Sequence, residues 1–395
     1  MHSAPTDQAL PPERLDRARP YGEAPRSTHV DPVRLALVLA VLLALHSGEP
    51  TPTHIAFFVA LGVLLAFSTR RPVGLATIVV LLVGAIAIRL AVSDRTGSDV
   101  LQVTKVAIDR VLAGLNPYGY AYQTSNPTGS PFPYGPLALV AYMPFHHAAF
   151  VLELVSAAVV SVILAVQGRL VGLAVYAAAP IAVSVAVDGS NDTTLGLLIL
   201  AAFMTASRWP AVGGFVLAGA TAFKLSALAF APGLIAWAGG RVALAFVAGS
   251  LMAWAPVIAT WGIASYLDSA TRANDIHGTN TRWSLGVLVK ELTDRRQPVL
   301  DELRFVLGGL IAVAGLRLRR SMDGVILVGC AVYLVTLYGG NWGTYAYLGG
   351  IAPLVCWRLD DWLGLTSHSV LERLRALGPH VQALRTSSLS WRRRS

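Results

Sequence analysis

Apolar runs of about 15 to 20 residues recur along the chain from Leu35 to Trp357, broken by short stretches rich in Gly, Pro and Arg. When helical, runs of this length cross a hydrocarbon core that is tilted through or locally thinned. They fall near 32–48, 54–69, 72–92, 138–166, 170–187, 193–207, 210–223, 225–238, 241–260, 300–317, 322–339 and 342–358. No ten-residue segment alternates with period two, which excludes a closed β-barrel. The pattern predicts an all-α fold, a polytopic transmembrane helical bundle of roughly twelve spans filling 32–358.

Composition agrees with the pattern: 54% of the 395 residues are apolar and 13% charged, about half the charge density of an ordinary soluble domain. Residues 1–31 carry prolines and mixed charges without an apolar stripe, so they read as a disordered cytoplasmic tail and not a cleaved signal peptide. Residues 359–395 form a basic cytoplasmic tail suited to anionic headgroups, so membrane lipids are expected partners. Cys330 and Cys356 fall inside predicted spans and read as small packing residues.

The net charge of +9 does not point to nucleic acid, because the basic residues sit where membrane topology wants them. With the N-terminus cytoplasmic, Arg70, Arg71, Arg169, Arg208, Arg241, Arg317, Arg319, Arg320 and Arg358 all fall in cytoplasmic connections that hold almost no acids. The other face differs in kind. Segments 93–137 and 261–299 mix acids and bases as extracytoplasmic loops, and the connection Asp188-Gly189-Ser190-Asn191-Asp192 is acidic. Arg89, Glu153, Lys224 and Arg304 lie inside spans near their outer ends. A charge at membrane depth costs several kcal/mol unless paired or facing water, so the clustering predicts an outward polar cavity.

In the first of these segments Ser98 is placed to cap a short helix from Asp99 to about Gly114. Gln102, Lys105 and Asp109 share one face, and Val100, Val103, Ala107 and Val111 the other, the pattern of an amphipathic helix lying on the membrane surface. After it come Gly114-Leu115-Asn116-Pro117-Tyr118 and then Phe132-Pro133-Tyr134-Gly135-Pro136, which enters an apolar run.

Asp99, the Gly114–Tyr118 run and Tyr134–Pro136 follow one another in an order that resembles the GT-C superfamily of integral-membrane glycosyltransferases. More narrowly, they resemble the polyprenyl-phosphate-mannose-dependent mannosyltransferases of the actinobacterial glycosyltransferase 87 group. The likeness continues through Asn191-Asp192, Lys224 and Trp342-Gly343-Thr344-Tyr345, and so spans about residues 85 to 355. Val100 and Thr344 stand where those relatives often have an aromatic and a histidine.

The resemblance implies transfer of a sugar, mannose by likeness and arabinofuranose as the alternative, from a polyprenyl-phosphate donor to an envelope glycolipid or polysaccharide acceptor. It implies a plasma-membrane protein with an extracytoplasmic site and neither cofactor nor required metal. Inversion in one displacement needs a carboxylate opposite the leaving phosphate. Asp99 is the candidate, at a helix N-terminus that favours negative charge; a capping acid is its other reading, and Asp94 the fallback base. Preorganised cations offset charge on the departing phosphate, and the candidates are Lys224, Arg272, His277 and Arg282, with snorkelling or solvated loop charge as the alternative.

Asp188 and Asp192 are spaced for sugar hydroxyls, a divalent cation or helix capping. Tyr118, Tyr134, Trp342 and Tyr345 suit stacking on sugar rings or an interfacial aromatic belt. No Gly-rich phosphate loop occurs, which disfavours a nucleotide-sugar donor. A polytopic transporter or lipid-linked-sugar flippase is the competing function, but it would show two similar halves with matching broken helices, and none is visible.

Overall fold

A computed structural model describes residues 71–92, 98–276, 283–295 and 297–364. The expected tail 1–31, the runs 32–48 and 54–69, Asp94, His277, Arg282 and the basic end beyond 364 lie outside the described residues. Among the described residues the fold is all helical, with no strand.

The helices run in chain order as α1 (Arg71–Ala91), α2 (Val100–Leu112), α3 (Pro136–Tyr142), α4 (Phe150–Val166), α5 (Leu170–Ala178), α6 (Pro180–Val185), α7 (Asp192–Ala206) and α8 (Pro210–Phe223). They continue as α9 (Ala231–Ala238), α10 (Gly240–Trp261), α11 (Ile263–Ile276), α12 (Leu285–Thr293), α13 (Val299–Gly315), α14 (Met322–Tyr338) and α15 (Tyr347–Trp362). By length and composition α10 is long and apolar enough to cross a membrane, and α3 with α4 passes the same test as a pair bent by 99°. Several other apolar helices are shorter.

Three predicted runs are not single helices. The 138–166 run breaks at the 3-10 turn Met143–Phe145, between α3 and α4. The 170–187 run is interrupted ahead of Pro180, where Ala179 is extended because a following proline disfavours helical backbone. The 225–238 run opens as the 3-10 turn Leu225–Phe230 before α9. In the 261–299 segment, read as a loop, α11 and α12 form instead.

At the centre stands α7, apolar around its circumference: Leu195, Ile199, Leu200 and Phe203 are inaccessible, and Leu197, Leu198 and Ala201 are partly buried. It packs against α4, α8 and α15. Small residues bring backbones together, as the Gly- and Ala-rich composition of 168–240 predicts. A Cβ on Gly214 would stand 2.3 Å from the Val242 carbonyl oxygen, so α8 and α10 cross at a distance only glycine permits.

The two ends of the helix array differ. At one end Arg169 pairs with Asp361 at 2.6 Å, and Arg358 pairs with both Asp323 and Asp361 at 2.8 and 2.7 Å. The arginine-bearing end therefore carries partner acids, which the expected acid-poor connections did not include. The opposite end holds the start of α2, the 188–192 connection, the end of α8, the start of α13 and the 339–346 segment.

Candidate functional site

That opposite end encloses a cavity of about 410 Å³ whose walls include Asp99, Asp188, Asp192, Lys224, Tyr134, Trp342 and Tyr345. These seven expected site residues come from segments spread over more than half of the chain, and the fold brings them to one hollow.

Asp99 is half-buried at the start of α2. Its side chain makes no capping hydrogen bond; the Ser98 hydroxyl accepts from Val100 N at 3.3 Å. The helix keeps its expected faces, with Gln102, Lys105 and Asp109 exposed and Val103 and Ala107 buried. The Asp99 carboxylate instead accepts from the backbone N–H of Asn126 at 2.6 Å. A turn fixed by Ser125, whose hydroxyl donates to the Tyr122 carbonyl and accepts from Ser130 N, presents that N–H.

The 188–192 connection is bound directly to this helix start. Ser98 N donates to the Asp188 carbonyl at 2.6 Å and Leu101 N to the Gly189 carbonyl at 3.0 Å. Gly189 has φ +90°, and a Cβ there would meet Ser98 O at 2.8 Å, so both conformation and space demand glycine. Asp188 accepts from Ser190 N and from the Tyr345 hydroxyl, each at 2.8 Å. Burial pushes the Asp188 carboxyl above the usual carboxylate range, and these hydrogen bonds oppose the shift. The Tyr345 hydroxyl is the donor in that contact and ties the 339–346 segment to this connection.

Lys224 sits where α8 ends and the backbone turns extended, at φ −148° and ψ 122°. Its ammonium reaches Asp192 Oδ1 at 2.7 Å and Asn191 Oδ1 at 3.1 Å. It also stands 5.4 and 5.2 Å from the ring centres of Tyr134 and Tyr347, within cation–π range. With side chains only 11% and 2% exposed, the Lys224–Asp192 pair is a buried ion pair at a cavity wall. A lysine snorkelling outward would not be held by these partners.

Arg304 is the second cation of the cavity wall. Its Nε donates to the Asp301 carbonyl at 3.2 Å and its guanidinium lies 4.7 Å from the Phe305 ring. Asp301 in turn accepts from the Asn341 backbone N–H at 2.9 Å and from its amide at 2.7 Å, which clips the start of α13 to the segment carrying Trp342. The Trp342 indole donates to the Tyr347 hydroxyl at 3.0 Å.

The chain matches no protein-family model, no curated protein and no solved structure.

Two expected site residues stand elsewhere among the described residues. Tyr118 is buried among Phe132, Tyr266 and Trp261 at 5.3 to 6.1 Å and is not among the residues that line the cavity, so it builds the wall behind it. Arg272 pairs with Asp268 and donates to the Gly119 carbonyl at 2.8 Å, a loop clamp on the outside of α11. His277 lies outside the described residues. Of the four charges expected at the outer ends of spans, Lys224 and Arg304 line the cavity. Arg89 donates to the carbonyls of Ala85, Tyr176 and Ala182, and Glu153 is buried and does not line the cavity.

Arg304, Tyr347 and Asn126 line the cavity and were not among the expected site residues. For Arg304 the signal was present, a lone arginine in the first turns of an apolar run. Nothing distinguishes Tyr347 from other aromatics in sequence, and Asn126 contributes its backbone, which has no residue signature. Among the described residues no group of three or more His, Cys, Asp or Glu is arranged to hold a metal ion.

Proposed function

We propose that this chain is a membrane glycosyltransferase that moves a sugar, mannose by the resemblance, from a polyprenyl-phosphate donor to an envelope glycolipid or polysaccharide on the extracytoplasmic face of the plasma membrane. One observation carries the reading: a carboxylate held by a backbone N–H, Asp99, shares a cavity with the Lys224 and Arg304 cations and with Tyr134, Trp342 and Tyr345.

The chemistry follows from those groups. The acceptor hydroxyl gives its proton to Asp99 as its oxygen bonds the anomeric carbon. The carbon–oxygen bond to phosphate breaks, its electron pair leaves with the prenyl phosphate, and the configuration inverts. Lys224 and Arg304 offset the charge that accumulates on the leaving group. Asp188, fixed by Tyr345, accepts from sugar hydroxyls, and the aromatic faces complement the C–H surface of the ring.

A bilayer setting and the arrangement of roughly twelve spans belong to the same proposal. Support comes from the apolar outer surface: Leu244, Leu251 and Met252 on α10, Leu310 and Val313 on α13, and Val80 and Val83 on α1 are each at least 60% exposed. Soluble monomers rarely expose large apolar areas of this kind. A prenyl chain, stabilised in the bilayer by about 0.8 kcal/mol per buried methylene, requires the enzyme to meet its donor there.

The test uses the purified full chain in detergent with radiolabelled prenyl-phospho-mannose and an envelope glycolipid extract. Label is expected to move to glycolipid with the wild type and not with Asp99→Asn. Failure to transfer from any prenyl-linked sugar would turn the assignment toward a transporter or flippase.

A further inference from the structure

Glu153 is 1% exposed, in the first turn of α4. Three groups donate to its carboxylate: the Tyr142 hydroxyl, the Thr194 hydroxyl and, at 3.1 Å, the backbone N–H of Thr194. The Ser156 hydroxyl lies 2.9 Å from that of Thr194 and extends the network. None of these side chains lines the cavity, so a carboxylate this deeply buried serves something other than direct contact with a ligand there.

The third donor shows what it serves. Thr194 is the third residue of α7, and Asn191 occupies the N-cap position before it. The side chain of an N-cap asparagine ordinarily accepts the N–H of the second or third helical residue. Asn191 makes no such bond. Its Oδ1 accepts instead from the Lys224 ammonium, and the orphan N–H of Thr194 goes to Glu153.

We infer that Glu153 is a positioning residue: it caps α7 from the neighbouring helix and so releases Asn191 to hold the Lys224 ammonium at the cavity wall. This rests on the proposed reading of Lys224 as the cation that meets the ligand. Without an acceptor at position 153, Asn191 Oδ1 turns back to the Thr194 N–H, because a buried backbone donor left unpaired is expensive. Lys224 then loses one of its two hydrogen-bonded partners. The same carboxylate ties down Tyr142 on α3, the helix that follows Tyr134, so both walls flanking the ammonium register to one buried group.

The chain has three lysines, Lys105, Lys224 and Lys290, and the first and last are exposed, so they serve as internal references for amine acetylation of the detergent-solubilised full chain, read by peptide mass. Relative to them, Glu153→Leu is expected to raise acetylation of Lys224 by about tenfold or more, the scale of one charge-assisted hydrogen bond. Glu153→Gln, whose amide oxygen still accepts from Thr194 N, stays within about twofold of wild type. A merely structural Glu153 would lower the unfolding temperature in both variants and leave Lys224 acetylation at the wild-type rate when folded. That result in Glu153→Leu overturns the inference; if Glu153→Leu does not fold, the same result in Glu153→Asp, too short to reach Thr194 N, overturns it. No sugar donor enters the experiment, so its failure is separate from a failure of sugar transfer.

Discussion

Lys224 Nζ lies 2.7 Å from Asp192 Oδ1, joining the residue that follows α8 to the residue that opens α7. The two helices form an antiparallel hairpin, closed at one end by the Ser207–Trp209 connection and at the other by this ion pair. The polar closure is also part of the cavity wall, so the group that secures the hairpin and the group that faces the cavity are one and the same.

Breaking that pair from one side is therefore expected to be severe. Lys224→Met leaves Asp192 buried without its counter-ion, a loss of about 3–5 kcal/mol. Asp192→Asn should cost less, since an amide oxygen still accepts from the ammonium. Thermal unfolding in detergent, completed as a double-mutant cycle, should show the double variant well short of the sum of the singles.

Asp99→Asn keeps the shape of the side chain and its acceptor oxygen for Asn126 N but removes the proposed base. Sugar transfer is expected to fall about 10²- to 10⁴-fold with the unfolding temperature within about a degree or two of wild type, as for substitutions that leave packing intact. Comparable loss of transfer and of folded protein would assign Asp99 to structure.

Gly189→Ala tests the bridge between the two acidic segments. The φ of +90° and the 2.8 Å approach to Ser98 O make any side chain strained, at about 1–3 kcal/mol. Because Ser98 precedes Asp99, transfer should fall by more than the unfolding temperature alone accounts for. An alanine variant with full activity and stability would mean that the close approach does not position Asp99.

The pH dependence of stability should carry a contribution from Asp188. Its folded-state value is raised by burial, so the native state binds this proton more tightly than the unfolded chain does. The resulting stability is present below the ordinary aspartate value of about 3.9 and is lost as pH rises through the folded-state value. Asp188→Asn should flatten that part of the curve, and Tyr345→Phe, which removes a hydrogen bond to the charged form, should extend the loss to higher pH. Unfolding midpoints at several pH values, with an unchanged profile for Asp188→Asn as the contrary result, decide it.

The sequence by itself determined the helical class, the bounds of the six runs 72–92, 193–207, 210–223, 241–260, 300–317 and 322–339 and the amphipathic faces of α2, because apolar periodicity is a local property that each stretch carries whatever its neighbours do. Lys224 stood out because a charge inside an apolar run is costly unless it has a partner, whereas Asp99 was marked by the resemblance and Asp188 and Asp192 by their spacing. Only the tertiary structure decided which charges meet. Lys224 and Arg304 reach the cavity while Arg89 and Glu153, equally conspicuous in the chain, turn to backbone carbonyls and to the N–H of Thr194. That choice depends on which helix ends abut and on which orphan backbone groups are left to satisfy, and those distances exist only once helices far apart in sequence have packed.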